Sequence, residues 1–348
     1  MVINSKIKKY SLTFKEDCLF NDKIDGDFFI IDSNVYNLHR ERFEQLSIEK
    51  ILLIDALEKN KTYSNCLVYI TELVNMGIKR GNIICAIGGG IIQDITGFIS
   101  SILFRGITWN FYPTTLLAQC DSCIGGKTSI NVGNFKNIVG NFNPPDKITI
   151  DMSFLSTLKN KEIQSGIGEI LKVAIIDSKK RINYDLITDC IETNTINKTL
   201  IKQSLEIKKE IIEIDEFDKD LRNIMNYGHT FGHAIESISN FKIPHGIAVG
   251  IGINIANNIA KELYKIEVTA IDELINKFLN TNSYYVDIFK ASYDKTVFIS
   301  ALKRDKKNTS SDSLKCILLN SKKRVVKVNV SLTKLTKIFK KITKEEKW

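Results

Sequence analysis

The chain of 348 residues is 43% hydrophobic and 26% charged, the proportions of a soluble globular protein, and its length suits two domains better than one core. The net charge of +9 comes from lysines spread along the whole chain, with no arginine-rich or aromatic-interleaved patch, which argues against a nucleic-acid partner. The most apolar region, Ile87–Phe104, is broken by Gln93 and Asp94, and MVINSKIKKYSLTF lacks the apolar core of a signal peptide, so a cytoplasmic protein with no membrane contact is expected.

In chain order, Phe28–Asp32, Lys50–Asp55 and Ile83–Ile87 are short β-type runs bounded by polar or glycine signals. Between the last two, Tyr63–Met76 carries apolar residues at helical spacing, which makes a βαβ pattern and implies a parallel sheet. Trp109–Tyr112 before Pro113, and Lys147–Asp151, read as further strands. After about residue 155, Lys161–Ile176, Ile196–Ile214, Thr230–Ser239 and Ile247–Leu263 all show helical periodicity. Leu332, Leu335, Ile338 and Ile342 among lysines predict an amphipathic terminal helix docked on the body with a solvated basic face. The expected architecture is an α/β fold: an N-terminal Rossmann-like nucleotide-binding domain with a mainly parallel sheet, residues 1–155, then an all-α domain, residues 156–348.

Gly88, Gly89 and Gly90 follow the third strand and open a helix from Ile91. Glycine there lets the main chain approach a pyrophosphate, and a helix N-terminus supplies free N–H groups. The pattern is not G-x-G-x-x-G, so the usual dinucleotide fingerprint is absent. Asp94, one turn into that helix, suits a hydrogen bond to a cofactor or substrate. The next block, FRGITWNFYPTTLLAQCDSCIGGKTSINVGNFKN, sets Arg105, Asp121, Lys127, Lys136 and Asn137 among glycines, chemistry that suits phosphate or carboxylate oxygens. GGKT lacks the preceding glycine of a P-loop. Cys120 and Cys123 form a C-x-x-C, but a zinc or redox role needs a second pair nearby and none exists; the seven cysteines are scattered and odd in number, unlike a disulfide framework.

Three of the four histidines fall in NYGHTFGHAIESISNFKIPHG. Histidine is the commonest neutral ligand for a divalent metal and the commonest acid–base group near pH 7. His229 and His233 stand one helical turn apart on one face, and Pro244 is expected to end that helix so that His245 returns toward it. Spacing alone points to a metal-centred site with His229 and His233 as a pair.

Taken together, GGGIIQD, RG…PTTLLAQCDSCIGGKTSIN, KN, GEILK, DE…LRN, GHTFGHAIE and HG resemble 3-dehydroquinate synthase and its sugar-phosphate cyclase relatives, in family order from about Asp32 to Lys307. The resemblance implies bound NAD, one divalent metal (zinc, with cobalt as the other candidate), a phosphorylated seven-carbon sugar acid as substrate, and a homodimer. It implies Glu169, His229 and His245 as metal ligands, leaving His233 for catalysis or the phosphate side. Asp121, Lys127, Asn137 and Lys172 would serve the reacting substrate; Lys208, Arg222, Asn226 and Lys306 would bind it. Arg105 matches an arginine that reaches the phosphate in the neighbouring subunit. Asp32, Asn34, Glu58 and Lys61 would face the adenosine of NAD, and Gly89, Gly90, Asp94, Thr114, Thr115 and Lys136 its pyrophosphate and nicotinamide side.

Two positions depart from the family pattern. Relatives commonly read HGEAV where this chain has Ile247 in place of the acid, and glycine where it has Gln93. Either could mark a cyclase for another sugar phosphate, although Lys208, Arg222 and Lys306, which resemble the groups that grip a substrate carboxylate, are present. The other readings are a metal-dependent NAD alcohol dehydrogenase of the glycerol-dehydrogenase type and a non-catalytic protein with a structural metal. The cluster of cations favours the cyclase.

Overall fold

A computed structural model describes residues 1–17, 24–133, 135–303 and 312–344. Its strands are β1 (Val2–Asn4), β2 (Lys9–Lys15), β3 (Phe28–Asp32), β4 (Ile51–Ile54), β5 (Ile83–Gly88), β6 (Thr108–Pro113), β7 (Lys127–Val132), β8 (Phe135–Phe142), β9 (Lys147–Asp151), β10 (Ser313–Leu319) and β11 (Val325–Ser331). The helices are α1 (Ser33–Leu38), α2 (Tyr63–Asn75), α3 (Gly90–Ile102), α4 (Asn160–Ile176), α5 (Tyr184–Thr193), α6 (Lys198–Ile214), α7 (His229–Ile238), α8 (His245–Tyr264), α9 (Thr269–Thr281), α10 (Ser283–Ser292), α11 (Lys295–Lys303) and α12 (Leu332–Lys344).

The chain divides into two compact units, Met1–Lys159 with Lys208–Phe217, and Asn160–Ile207 with Asp218–Trp348. The first unit is therefore not one continuous stretch. It is built on a seven-stranded sheet in the order β1-β2-β9-β6-β5-β3-β4, in which only the β1–β2 pairing is antiparallel. Parallel strands covered on both faces need apolar residues on both, and Phe28–Ile31 and Ile84–Ile87 are buried throughout. One face packs Phe29, Ile31, Cys85, Ile87, Tyr112 and Phe154 into a core. Register pairs Asp32 with Ile54, Ile31 with Ile87, and Gly88 with Pro113. The C-terminal ends of β3, β4, β5 and β6 consequently share one edge, the edge where open α/β sheets bind ligands. β7 and β8 form an antiparallel pair with a register shift between Ile130 and Val132, inside the block that its glycines made look like a loop.

The second unit is helical around α8, buried without a break from Gly246 to Ala260. A helix apolar on every side belongs in the middle of its bundle. The all-α expectation for this part needs correction, because β10 and β11 pair as an antiparallel ribbon. Val326, Val328 and Val330 mark the period of two in β11, but lysine and asparagine between them give the segment the look of a polar surface. Pro244 also acts differently from the expectation. Helix α7 has already ended at Ile238, with Asn240 and Phe241 at φ 51 and 58°, and Pro244 instead starts α8, its carbonyl accepting from the Ala248 N–H at 2.9 Å. Among the described residues no helix is long and apolar enough to cross a membrane.

Candidate functional site

In the second unit, Glu169 and Lys172 lie one turn apart on α4, His229 opens α7 and His245 opens α8. Three helices deliver these groups to one place, and glycines bring the helices together. A Cβ on Gly246 would stand 1.7 Å from the Ser165 carbonyl oxygen, and one on Gly168 would stand 2.0 Å from that of Gly246. Helices α4 and α8 thus touch main chain to main chain beside Glu169 and His245, and the Gly246 N–H donates to Ser165 Oγ at 2.9 Å. Gly228, at φ 80°, caps α7 in a conformation that favours glycine, and a Cβ on Gly252 would meet its carbonyl oxygen at 2.2 Å.

Glu169 is 1% exposed and Lys172 2%. Lys172 Nζ donates to Glu169 Oε2 at 2.5 Å. The other oxygen, Oε1, is buried with no hydrogen-bond donor, although His245 Nε2 lies 3.2 Å and His229 Nε2 3.5 Å away. Burial alone would push the Glu169 carboxyl up, but Lys172, then His229 and His245, outweigh it and hold the group well below its usual range. Burial takes His229 well below its ordinary value, so its ring is neutral. Its Nδ1 lies 3.2 Å from the Tyr227 carbonyl; donation there leaves the Nε2 lone pair directed toward Glu169. Burial likewise pulls His245 down, but Glu236 and Glu169 outweigh it and raise the group to about 10.

The ligand atoms of Glu169, His229 and His245 lie within 4.8 Å of one another, as do those of His233, Glu236 and His245. One carboxylate and two imidazoles suit a divalent metal and leave positions for substrate oxygens. Oε1, which makes no hydrogen bond and faces two imidazole nitrogens, fits an ion among them that would displace the His245 Nε2 proton. His233 is exposed, with its ring centroid 5.5 Å from His229 and 5.9 Å from His245. All three histidines are therefore brought together, but the buried carboxylate joins His229 to His245. Arg222 is 4% exposed on the turn Leu221–Asn226, where Asn226 Nδ2 donates to the Asn223 carbonyl at 3.1 Å. Lys306 lies outside the described residues.

In the first unit, the residues expected at the cofactor follow the C-terminal ends of β3 to β6. Asp32 caps α1 by accepting from the Asn34 N–H at 2.9 Å. Helix α3 begins at Gly90 with no side-chain cap. A Cβ on Gly89 would meet Thr115 Cγ2 at 2.9 Å, whereas one on Gly90 would meet nothing nearer than Ser122 Oγ at 3.9 Å. Gly89 is thus needed for packing, while Gly90 leaves open the uncapped helix start that suits a phosphate. Thr114 Oγ1 is buried with no hydrogen-bond partner, as fits a group waiting for a ligand. Lys61 and Asp94, each expected at the cofactor, bond to one another at 2.9 Å, and Lys61 also donates to Asn137 Oδ1 at 2.8 Å. Glu58 accepts from Asn131 Nδ2 at 2.9 Å. Lys208 Nζ donates to the Asp121 carbonyl at 2.5 Å and lies 2.9 Å from its carboxylate. Lys127 is exposed and Lys136 half-buried on the β7–β8 pair. Arg105 is exposed on a left-handed turn with Phe104, at φ 67 and 52°.

Gln93 is buried against the π-helical turn Ala118–Ser122: its Nε2 donates to the Ser122 carbonyl and its Oε1 accepts from Ser122 Oγ, both at 2.7 Å. Glu236, Ser129 and Ser165 join these networks without a place among the expected site residues. A signal existed for Glu236, which stands seven residues after His229 on the same helical face.

The 3-dehydroquinate synthase N-terminal family matches residues 51–165, and the C-terminal family of the same enzyme matches residues 166–308. The chain is 37% identical over 321 residues to the 3-dehydroquinate synthase of Dictyoglomus thermophilum, covering 88% of this chain and 87% of that protein. A crystal structure of 2-deoxy-scyllo-inosose synthase complexed with carbaglucose-6-phosphate, NAD+ and Co2+ superposes with a TM-score of 0.84 at 24% identity, over 98% of this chain and 99% of the other. For 2-epi-5-epi-valiolone synthase from Streptomyces hygroscopicus, with NAD+ and Zn2+ bound, the TM-score is 0.81 at 21% identity, over 97% of both chains. The glycine turn at the sheet edge and the carboxylate–imidazole cluster on α4, α7 and α8 thus stand in a chain matched along both halves, which belongs to the 3-dehydroquinate synthase family.

Proposed function

We propose that this protein is a 3-dehydroquinate synthase, a carbon–oxygen lyase dependent on NAD and a divalent metal, that converts 3-deoxy-arabino-heptulosonate 7-phosphate to 3-dehydroquinate and phosphate. The observation that carries the proposal is the buried Glu169 oxygen without a donor, facing His229 and His245 in a chain 37% identical to a protein of that name. The cyclases of other sugar phosphates are related at 24% and 21% identity, which favours the dehydroquinate reading over theirs.

Bound in these sites, zinc or cobalt would polarise vicinal hydroxyls of the substrate, and NAD would accept and return a hydride. Glu169, His229 and His245 would hold the ion, with Lys172 keeping Glu169 ionised. Gly90 and Thr114 would take the cofactor phosphates and Asp32 its ribose hydroxyls. Arg222, with its planar fork, suits the substrate carboxylate, assisted by Lys208, Asn226 and Lys306. Asp121 fixes the direction of the Lys208 ammonium through two contacts. Lys136 would lie along the nicotinamide side of the cofactor, Lys127, Asn137 and His233 would position the phosphate and the departing charge, and Arg105 would reach a second copy of the chain in a homodimer. In the substrate, a ring alcohol becomes a ketone, the neighbouring C–H acidifies, that proton and the phosphate leave together, the ketone returns to the alcohol, the ring opens at its C–O bond, and an intramolecular aldol step closes the carbocycle.

Neither departure from the family pattern brings a new group to the ligands. Gln93 spends its amide on Ser122, and Ile247 is fully buried in the bundle. The test is to supply purified protein with NAD, zinc and the heptulosonate phosphate. One phosphate per product of 3-dehydroquinate mass, with no net NADH, is expected. NADH accumulating with a simple alcohol would support a dehydrogenase instead, and turnover only with a carboxylate-free sugar phosphate would support another cyclase.

A further inference from the structure

The acid absent at position 247 is two residues from His245 in the chain but does not share its surroundings in space. Residues two apart on a helix point to different faces. Ile247 is 0% exposed, while the His245 side chain is 34% exposed. A carboxylate at 247 would enter the apolar interior of the bundle rather than the imidazole's surroundings. The acid that does meet His245 comes from another helix. Glu236 lies in the last turn of α7, and the left-handed turn at Asn240 and Phe241, followed by Pro244, folds the chain back so that Glu236 Oε2 lies 3.3 Å from His245 Nδ1. The opposite ring nitrogen, Nε2, faces Glu169 at 3.2 Å.

We propose that Glu236 is the positioning residue for His245: it accepts the Nδ1 proton, fixes the tautomer, and directs the Nε2 lone pair at the metal held with Glu169 and His229. This inference rests on the metal reading given above. An ionised carboxylate only accepts, so the proton between the two groups is on Nδ1 of the ring, and Nε2 is the nitrogen that exchanges its proton for the metal. Carboxylate–histidine–metal relays raise the basicity of the ligand and fix its ring, and their loss typically weakens metal binding 10–100-fold. The competing use of Glu236, as a direct ligand with His233 and His245, would leave the buried Glu169 oxygen without an ion.

The test compares the intact protein with Glu236→Gln, Glu236→Ala and Glu169→Gln. Zinc affinity is measured by competition with a chromogenic chelator, and the visible spectrum is recorded with cobalt in place of zinc. Far-ultraviolet circular dichroism and the melting temperature of each metal-free protein check the fold. The proposal expects one zinc per chain in the parent protein and in both Glu236 variants. Zinc dissociation constants should rise about tenfold or more in those variants, the cobalt bands should shift, and Glu169→Gln should fail to hold the ion. An affinity within twofold of the parent with an unchanged cobalt spectrum in Glu236→Gln overturns the positioning role alone. Loss of the ion in Glu236→Ala with retention in Glu169→Gln overturns it by making Glu236 a ligand. Absence of zinc from the parent protein overturns both the inference and the metal reading beneath it.

Discussion

Each unit buries a lysine against a carboxylate, and the two pairs are finished differently. In the first unit Asp94 accepts from Lys61 Nζ at 2.9 Å, from the Ser129 N–H at 3.0 Å and from Ser129 Oγ at 3.4 Å. In the second, Glu169 accepts from Lys172 with one oxygen and leaves the other without a donor. A buried polar group left unsatisfied costs on the order of 1–3 kcal/mol, and more when it is charged. The first pair is therefore completed by the fold itself, while the second leaves one carboxylate oxygen facing only the two imidazoles, where a metal ion can take the place of a ring proton. Burial and charge are common to both; the unfilled valence separates an architectural pair from a receptive one.

That contrast can be broken by substitution. His229→Ala should have the largest effect, abolishing zinc binding and lowering turnover by about a thousandfold, since metal polarisation supplies several kcal/mol. The melting temperature of the metal-free protein should change little, and a cost in stability equal to that of the first-unit variant below would erase the distinction. Lys61→Met should do the reverse, lowering stability by about 3 kcal/mol in urea titration because it strands Asp94, with zinc affinity unchanged. Gln93→Gly removes two hydrogen bonds and adds backbone freedom within a helix, so a loss of about 2 kcal/mol is expected; an unchanged urea midpoint would mean that Ser122 finds other partners.

The smallest effect concerns pH. His39 is buried, edge-on to Phe154, with Nε2 3.0 Å from Thr157 Oγ1. Burial, then the Arg42 charge, lowers it below 6.5. Its contribution to stability should be complete above pH 6.5 and should fall away as pH drops through the lowered folded value, because the unfolded chain then binds the proton first. His39→Gln should flatten that part of the pH–stability curve, and an unchanged slope would assign it to another group.

Much of this was legible in the amino-acid sequence. The β-type runs ending at Asp32, Ile87 and Tyr112 mark the sheet, because a covered parallel strand needs an unbroken apolar stretch of that length. The histidine segment marked the site, yet spacing favoured His229 with His233, and the contribution of Glu169 came only from family resemblance. A periodicity rule describes one helix at a time, whereas the cluster joins three. The β10–β11 ribbon was hidden because polar residues fill alternate places in β11, and the β7–β8 pair because glycines resembled a loop. Glu236 escaped because its meeting with His245 depends on two left-handed residues, neither of them glycine.

The glycine contacts between α4, α7 and α8 set the separation of the three proposed ligands through the main chain. Repacking of neighbouring side chains has little leverage on that distance. The site is assembled during folding, so metal uptake need not organise the helices and loses little conformational entropy in doing so. A methyl group added at Gly246 would keep every donor group but, 1.7 Å from the Ser165 carbonyl oxygen, would force α4 and α8 apart and move Glu169 away from His245, which makes that residue a control on the width of the site and so on which ion fits.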